Sequence, residues 1–315
     1  MLRIGLIGAG WHAATHHAPA LRQCAAEPEF SGAVELLAVC DPDAARAAEV
    51  ARGFGFRQGY ESIEAMLPQV DAVVSIVPPA ALLATLTHVL HHRRPVLIEK
   101  PVGTHLGETA QIAGMLHGHP HMVSLNRRFD PAVVIARRWI SEQSSPPRAI
   151  RGLMARHNRL ERDFVWSTGI HLSDLMCFLV GPLKLIEAGA AGGAGAGGVG
   201  LLEGRDGMSG TIHFHPACGR IDEFVHLVGD DWTTEITTGT HQPWRVRCWK
   251  SGRAELDVTA DSTIPEFDRN GTGDETRTFL RAVLGRGSFA PTVADAMPGT
   301  ELVAALQNPD AAPGA

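Results

Sequence analysis

The length, composition and charge of the chain exclude several classes of protein. Its 315 residues are 44% hydrophobic and 20% charged, with a formal net charge of −6, which is typical of a globular chain long enough for two domains. The acidic balance argues against nucleic-acid binding, and no apolar run is long enough to cross a bilayer. The cysteines have no CxxC spacing and the first residues lack the layout of a signal peptide, so we expect a soluble cytoplasmic protein with free thiols.

The first predicted element is a buried strand that ends in a glycine motif. The run LRIGLIG is short, apolar and partly β-branched, which indicates a strand. A GxGxxA stretch, Gly8 to Ala13, follows it and leads into a helix from about Trp11. Gly8 permits a tight turn, Gly10 lets the backbone approach a pyrophosphate, and the helix amides can bind that anion. We therefore predict that Gly8, Gly10, Trp11 and His12 contact a dinucleotide.

The second predicted strand, Val34 to Asp41, ends in an acid. An acid at this place accepts hydrogen bonds from the adenosine ribose hydroxyls of a dinucleotide. Asp41 follows Gly10 by 31 positions instead of about 20, and the loop EPEFSG explains the excess as an insertion. The alternative is an ordinary surface aspartate after a strand. No arginine directly follows Asp41, which favours NAD over NADP.

Strands and helices continue to alternate along the first half of the chain. Strands are predicted at residues 71–79, 95–101 and 121–129, with helices at 81–92 and 107–118. This alternation indicates a parallel, doubly wound sheet that binds ligands at the carboxyl ends of its strands. The further residues predicted to contact the cofactor there are Val77, Pro78, Glu99, Lys100, Asn126 and Arg127.

The second half begins after the loop at residues 144–148 with a strand and a basic stretch. Arg156 and its basic neighbours either hold an anionic group of the substrate or form a solvated surface balanced by acids. Trp166 is either an apolar platform for a sugar ring or a core side chain. The low-complexity run Ala188–Gly200 is interpreted as a flexible or poorly packed link between strands.

No metal site is expected from the histidines. His213 and His215 share one face of a predicted strand, but no third ligand is evident. The other clusters, including His16 and His17, are interpreted as helix surface or loop. The terminal helices are predicted at residues 274–284 and 292–306, and the end of the chain is predicted to be frayed.

Six motifs together extend over most of the chain: GLIGAGWHA, VCDPD, EKPVG, LNRRFDPA, GIHLSDL and DETRTFLRAVLGRG. In this order they resemble the glucose–fructose oxidoreductase/inositol dehydrogenase/rhizopine-catabolism (Gfo/Idh/MocA) family. The resemblance implies an N-terminal Rossmann domain and a C-terminal α/β domain whose large sheet often forms the oligomer interface. It also implies hydride transfer between a nicotinamide and a hydroxyl-bearing carbon of a sugar or cyclitol.

By this resemblance Lys100 and His171 are the catalytic residues. A buried lysine with a lowered pKa suits proton transfer to the reacting oxygen, and an imidazole suits it near neutral pH. Many members carry an aspartate where this chain has Ser167, followed by Thr168. These hydroxyls can bond the substrate but cannot stabilise an imidazolium by charge, so Lys100 and His171 are expected to carry the proton transfer. Asp174 either orients His171 or bonds within its own helix.

We therefore predict an α/β protein with three parts. Residues 1–124 form a Rossmann domain with a doubly wound parallel sheet, residues 125–306 form an α/β domain with a large, mostly antiparallel sheet, and residues 307–315 form a flexible tail. The substrate-binding residues are predicted to be Lys100, Arg156, Trp166, Ser167, Thr168 and His171.

The predicted function is that of an NAD-dependent dehydrogenase or reductase, with NADP as the less favoured cofactor. Its small-molecule substrate is expected to be a sugar, nucleotide sugar or (amino)cyclitol, and its assembly a homodimer or homotetramer through the C-terminal sheet. No nucleic acid or membrane is expected as a partner. Two alternatives stay open: a glycosidase that uses tightly held NAD for transient oxidation, and a cofactor-binding regulator. Regulators of this fold tend to lose the catalytic lysine or histidine, and both are present here.

Overall fold

The chain divides into two units that do not follow its sequence order. A computed structural model describes residues 1–190 and 197–308. The first unit comprises residues 1–125 and 272–295, and the second comprises residues 126–271 and those from Ala296 onward. A division into consecutive domains therefore misses the return of residues 272–295 to the first unit. Most of the predicted tail, residues 309–315, lies outside the described residues.

The strands of both units are numbered in chain order. They are β1 (Leu2–Ile7), β2 (Val34–Cys40), β3 (Gln58–Tyr60), β4 (Ala72–Ser75), β5 (Val96–Ile98), β6 (His121–Val123), β7 (Pro147–Ala155), β8 (Lys184–Ala190), β9 (Gly198–Glu203), β10 (Ser209–His215), β11 (Asp222–Gly229), β12 (Trp232–Thr237), β13 (Arg245–Lys250) and β14 (Arg253–Thr259).

The helices are numbered in the same way. They are α1 (Ala18–Ala26), α2 (Ala44–Phe54), α3 (Ile63–Met66), α4 (Pro79–His91), α5 (Leu106–Met115), α6 (Pro131–Ser141), α7 (Ile170–Val180), α8 (Glu266–Arg269), α9 (Thr272–Val283) and α10 (Val293–Gln307). Two π-helical turns, Ala13–His17 and Val165–Gly169, lead into α1 and α7.

The first unit contains a parallel six-stranded sheet in the order β3-β2-β1-β4-β5-β6. The strands β1 and β4–β6 are short, apolar and almost fully buried, as expected for a sheet covered on both faces. The strand order reverses between β1 and β4, which is the point where open α/β sheets bind ligands. The predicted doubly wound sheet is confirmed.

Helix α9 completes the first unit from the far end of the sequence. Arg277 pairs with Glu27 at 2.7 Å, and Arg281 pairs with Glu29 at 2.6 Å. At the edge strand β6, Ser124 Oγ donates to Glu275 Oε2 at 2.8 Å in the protein interior. These bonds bind residues 272–295 to elements that precede them by more than a hundred positions.

The second unit contains an eight-stranded sheet in the order β14-β13-β12-β11-β7-β10-β9-β8. Its neighbours pair antiparallel except β7 and β10, which are parallel. Along β10 and β11, buried residues alternate with half-exposed ones, so one face lies in the core and the other is partly solvated. The predicted large, mostly antiparallel sheet is confirmed.

Two predicted elements differ in extent from the structure. The strand predicted to run to residue 129 ends at Val123, and Asn126–Phe129 form a 3-10 turn before the Asp130 N-cap of α6. The ends of the glycine-rich run are strands, in β8 and β9, and were wrongly assigned to a link. The middle of that run, residues 191–196, lies outside the described residues. Among the helices of the described part, none has the length and apolar character needed to cross a bilayer.

Candidate active site

A cavity of about 600 Å³ opens in the first unit, where β1, β2, β4 and β5 end. It is lined by every residue of this unit for which the sequence predicts a cofactor contact. These residues are Gly8, Gly10, Trp11, His12, Asp41, Val77, Pro78, Glu99 and Lys100. They converge because parallel strands present their carboxyl ends at one edge of the sheet.

Glycine is found at positions 8 and 10 of the motif for two different structural reasons. Gly8 has a φ of +92°, and a Cβ built on it overlaps the carbonyl oxygen of Ile76 at the end of β4. A side chain here is excluded both by backbone conformation and by space. A Cβ built on Gly10 meets no heavy atom within 4 Å among the described residues. Gly10 therefore leaves open space on its cavity side.

Alanine substitutions at these two glycines form a matched pair of variants. We expect Gly8→Ala to lower the free energy of unfolding by about 2–5 kcal/mol, because it adds backbone strain to overlap with Ile76. Gly10→Ala should leave that free energy nearly unchanged and weaken dinucleotide binding, because its methyl group enters the predicted pyrophosphate position. Urea denaturation and NADH titration of both variants check this. Equal stability losses would contradict it.

Asp41 joins the end of β2 to the glycine motif. Its carboxylate is buried, with Oδ2 accepting from the backbone N–H of Ala9 at 2.9 Å and Oδ1 accepting from that of Asp43 at 2.9 Å. Each carboxylate oxygen has a further lone pair. Asp41 can thus hold the glycine turn and still accept a bond from a ligand in the cavity.

An arginine does lie beside Asp41, although none directly follows it in sequence. Asp43 caps α2 by accepting from the N–H groups of Ala45 and Arg46, as aspartate commonly does at a helix N-terminus, and the first helical turn brings Arg46 back toward the strand end. Arg46 Nη2 lies 3.2 Å from Asp41 Oδ1, and its Nε donates to Asp43 Oδ2 at 3.0 Å. Arg46 also lines the cavity. The absence of an arginine directly after Asp41 in the sequence therefore did not reveal that Arg46 lies beside it in the structure.

Glu99 is a buried carboxylate held by two imidazoles. Its Oε1 lies 2.7 Å from His17 Nε2 and 3.1 Å from His12 Nε2, and its Oε2 accepts from the backbone N–H of Lys100 at 2.9 Å. Burial favours a raised pKa for the Glu99 carboxyl, but His12 and His17 outweigh it and hold the pKa well below its usual range. Glu99 is therefore ionised and fixes the backbone of Lys100.

His17 was not recognised from the sequence. It is 2% exposed, so its interpretation as helix surface is wrong. Burial lowers the pKa of its imidazole, with Glu99 opposing that shift, and His17 is neutral near pH 7. His17 is the last residue of the π-helical turn Ala13–His17, in which the residue spacing differs from that of an α-helix.

In the second unit, Arg127 and Arg156 share one buried acid. Arg127 Nε donates to Glu223 Oε1 at 2.9 Å, and Arg156 Nη2 pairs with Glu223 Oε2. Arg127 also donates to Asn126 Oδ1 at 3.0 Å, and Asn126 Nδ2 donates to the carbonyl of Asn270 at 2.9 Å. The 4% exposure of Arg156 contradicts the solvated surface that was the alternative interpretation of this residue.

The segment from Trp166 to His171, which contains most of the residues of the second unit predicted to contact the substrate, begins in a π-helical turn and continues into α7. Trp166 and Thr168 are buried, and Thr168 Oγ1 accepts from Arg159 at 3.0 Å. His171 is half-exposed on the first turn of α7. Asp174, one turn further, is buried and accepts two bonds from Arg128 at 2.6 and 2.9 Å. Its arginine partner lies outside its helix and was not anticipated.

Comparisons with known proteins agree with this architecture. Residues 2–127 match the model of an oxidoreductase family with an NAD-binding Rossmann fold. UDP-N-acetylglucosamine 3-dehydrogenase of Acidithiobacillus ferrooxidans is 27% identical over 194 residues, which cover 60% of this chain and 58% of that protein. Inositol 2-dehydrogenase of Corynebacterium glutamicum is 29% identical over 190 residues, covering 57% and 54%. The chain thus spans little more than half the length of these curated relatives.

A solved structure extends the likeness of fold over both units. A dehydrogenase of Clostridium difficile is similar with a TM-score of 0.84 at 14% identity, covering 98% of this chain and 99% of that one. At this identity the likeness concerns the fold alone. The strand order of the first sheet and the glycine motif at its switch point agree with the match of residues 2–127: this part of the chain is similar to the NAD-binding Rossmann fold of that oxidoreductase family.

Proposed function

We propose that the chain is a cytoplasmic, NAD-dependent dehydrogenase or reductase that acts on a secondary hydroxyl or ketone of a sugar, nucleotide sugar or (amino)cyclitol. The observation that carries the proposal is the cavity of the first unit, in which the glycine motif, Asp41 and the Glu99–Lys100 pair line one space. The two curated relatives are named for a nucleotide sugar and a cyclitol, which supports this substrate class.

The residues around the cavity fit a dinucleotide. The cavity volume of about 600 Å³ lies within the range usual for ligand sites, roughly 300–1,000 Å³. In the proposal, the turn at Gly8 and Gly10 holds the pyrophosphate, Asp41 accepts from the adenosine ribose, and Val77 and Pro78 form an apolar wall. When bound, the nicotinamide supplies hydride transfer.

Proton transfer is proposed for Lys100 and His171. The Lys100 ammonium hydrogen-bonds the reacting oxygen and favours loss of its proton, while the His171 imidazole takes that proton and returns it in the reverse direction. The hydroxyls of Ser167 and Thr168 orient the substrate. Arg156 is proposed to attract an anionic group of the substrate, because the single carboxylate of Glu223 is shared by Arg127 and Arg156 and leaves one positive charge uncompensated.

An assay of nicotinamide absorbance tests this function. The purified chain is offered NAD or NADP with a panel of sugars, uronates, cyclitols, aminocyclitols and nucleotide sugars, and their keto forms with reduced cofactor. We expect turnover of at least one polyhydroxylated substrate. Binding of NADH without any turnover would contradict the proposal and favour a cofactor-binding regulator. Copurification of tightly held NAD together with hydrolysis of a glycoside would favour the glycosidase.

The adenosine end of the cavity supports a preference for NAD. Two carboxylates, Asp41 and Asp43, face the single guanidinium of Arg46, and the residual negative charge repels a 2′-phosphate. We expect Asp41→Asn to reduce the NADH-over-NADPH preference about tenfold, which corresponds to about 1.4 kcal/mol. The amide oxygen of asparagine still accepts from the Ala9 N–H group, and only the bond from the Asp43 N–H group is given up, so the glycine turn is retained.

Quenching of tryptophan fluorescence measures both affinities, because Trp11 lines the cavity. Asp71→Asn is the control, since Asp71 precedes β4 at the opposite end of the strands and bonds Arg3 at 2.7 Å. An unchanged ratio of affinities in Asp41→Asn would rule out this role of Asp41.

We further propose a homodimer or homotetramer formed through the sheet of the second unit. The outward face of β10 and β11 carries half-exposed side chains such as His213, Phe224 and His226. A partly apolar sheet face of this kind suits an isologous interface. Light scattering after size-exclusion chromatography measures the mass, and a monomer at micromolar concentration would contradict the assembly.

A further inference from the structure

Three possible metal ligands converge at the inner end of the cavity of the first unit. One ligand atom each of His12, His17 and Glu99 lies within 4.8 Å of the others. Glu99 Oε1 is the shared centre, at 3.1 Å from His12 Nε2 and 2.7 Å from His17 Nε2. The cluster combines residues from the turn after β1 and from the end of β5, so the fold of the sheet assembles it.

The donor set and spacing suit a zinc-type ion. Two imidazole nitrogens and one carboxylate oxygen, with a fourth position open, form a set found in zinc enzymes. Donors bound to a tetrahedral ion at ~2.0–2.1 Å lie roughly 3.3 Å apart. To reach this value, the separation of Glu99 Oε1 from His12 Nε2 needs to increase by about 0.2 Å and that from His17 Nε2 by about 0.6 Å. The His12 side chain is 42% exposed and can shift, whereas the larger change requires the Glu99 carboxylate to move away from the buried His17.

The cluster also has an accessible side. His12 and Glu99 line the cavity, whereas the His17 side chain lies beneath them at 2% exposure. An ion can therefore enter from the cavity, take His17 as its buried ligand and keep a water in the fourth position. This is the arrangement of an open site and not of a closed structural one.

The tautomer of His17 presents no obstacle to binding. Its Nδ1 is buried and has no hydrogen-bond partner among the described residues. Moving the proton from Nε2 to Nδ1 therefore breaks no bond at Nδ1 and loses only the bond to Glu99. A metal–nitrogen bond at Nε2 replaces that interaction.

We propose that His12, His17 and Glu99 bind one divalent transition-metal ion of the zinc class when the cavity is free of dinucleotide. This site differs from the His213–His215 pair on β10, the HxH pattern in the sequence. It does not depend on the proposed dehydrogenase activity, so its test is one of binding.

The experiment uses the full chain without an affinity tag. Zinc is titrated by calorimetry, and cobalt(II) is added to follow its visible absorption. We expect one saturable equivalent and cobalt bands typical of a nitrogen–oxygen site. His12→Ala and Glu99→Gln should each weaken zinc at least tenfold, since loss of a ligand costs no less than the 10–100-fold that second-shell changes cost.

Two control variants separate this site from other zinc ligands. His213→Ala removes the HxH pair, and Cys218→Ser removes the cysteine that is not buried; both should bind zinc as the wild type does. Circular dichroism checks folding, and His12→Ala remains decisive if Glu99→Gln unfolds, because His12 is half-exposed. Absence of saturable binding, retention of full affinity in His12→Ala, or loss of affinity in either control would overturn the proposal.

Discussion

Replacing Lys100 with methionine is expected to lower kcat by about 10²–10⁴-fold, the usual contribution of a positioned acid–base group. Lys100 lies two residues beyond the end of β5, lines the cavity and is fixed through its backbone by Glu99. Methionine has an unbranched apolar side chain that extends as far as the lysine Cε position, and it lacks the ammonium group. The affinity for NADH should therefore stay within about threefold, far below the change expected when a charged hydrogen bond is lost.

The control for this variant is Lys184→Met, since Lys184 is exposed at the start of β8. It should keep full turnover of whichever substrate the panel identifies. His171→Ala is measured beside it, and a comparable loss of kcat assigns the imidazole to proton transfer. Full turnover in Lys100→Met would refute the proposed role of the lysine, and full turnover in His171→Ala would make that histidine structural.

Replacing Glu223 with glutamine is expected to lower the free energy of unfolding by about 3–5 kcal/mol. Glu223 is fully buried, as are its partners Arg127 and Arg156. Glutamine has the same size but no charge, so two guanidinium groups are left buried without a counter-charge. Chemical denaturation followed by tryptophan fluorescence measures the change. Glu235→Gln is the control, because its pair with Arg247 is about 40% exposed and should contribute at most about 1 kcal/mol.

The stability difference between the wild type and Glu223→Gln is also expected to depend on pH. Burial favours a raised pKa for Glu223, but Arg127 and Arg156 outweigh it and hold the pKa well below its usual range. A carboxyl group whose pKa is lower in the folded state than in the unfolded state contributes its full stabilisation at pH values above the unfolded-state pKa of about 4.3. This contribution decreases as the pH falls below that value. The stability difference between wild type and Glu223→Gln should therefore shrink on acidification below about pH 4. A difference that grows in this range would contradict the buried ion triad.

The strand ends of the first unit were the part of the candidate site most accessible from sequence. The apolar runs before Gly8, Asp41 and Glu99 predicted buried parallel strands, and parallel strands place their last residues at one edge. The positions of these side chains around one cavity follow from topology alone. The exact strand boundaries did not have to be predicted, because a residue just past a strand remains at that edge of the sheet even if the strand is shorter than predicted.

Contacts that depend on helical turns and on distant pairs were not accessible in this way. Arg46 reaches Asp41 from the first turn of α2, which Asp43 caps, and the inward-facing His17 belongs to a π-helical turn. Arg156 appeared in a basic stretch, whereas its partner Glu223 lies 67 positions away. Local composition predicts solvation for such an arginine, and only the pairing of β7 with β11 brings the compensating acid close.

The return of α9 to the first unit has a consequence for how the protein is made. Synthesis proceeds from the N-terminus, so residues 1–125 leave the ribosome long before Arg277 and Arg281 can pair with Glu27 and Glu29. Until then, the surface of α1 that α9 covers remains exposed to the solvent and to other nascent chains. For the same reason, the nucleotide-binding unit is not a contiguous module, and a gene fragment that stops at Leu125 encodes it without one of its helices.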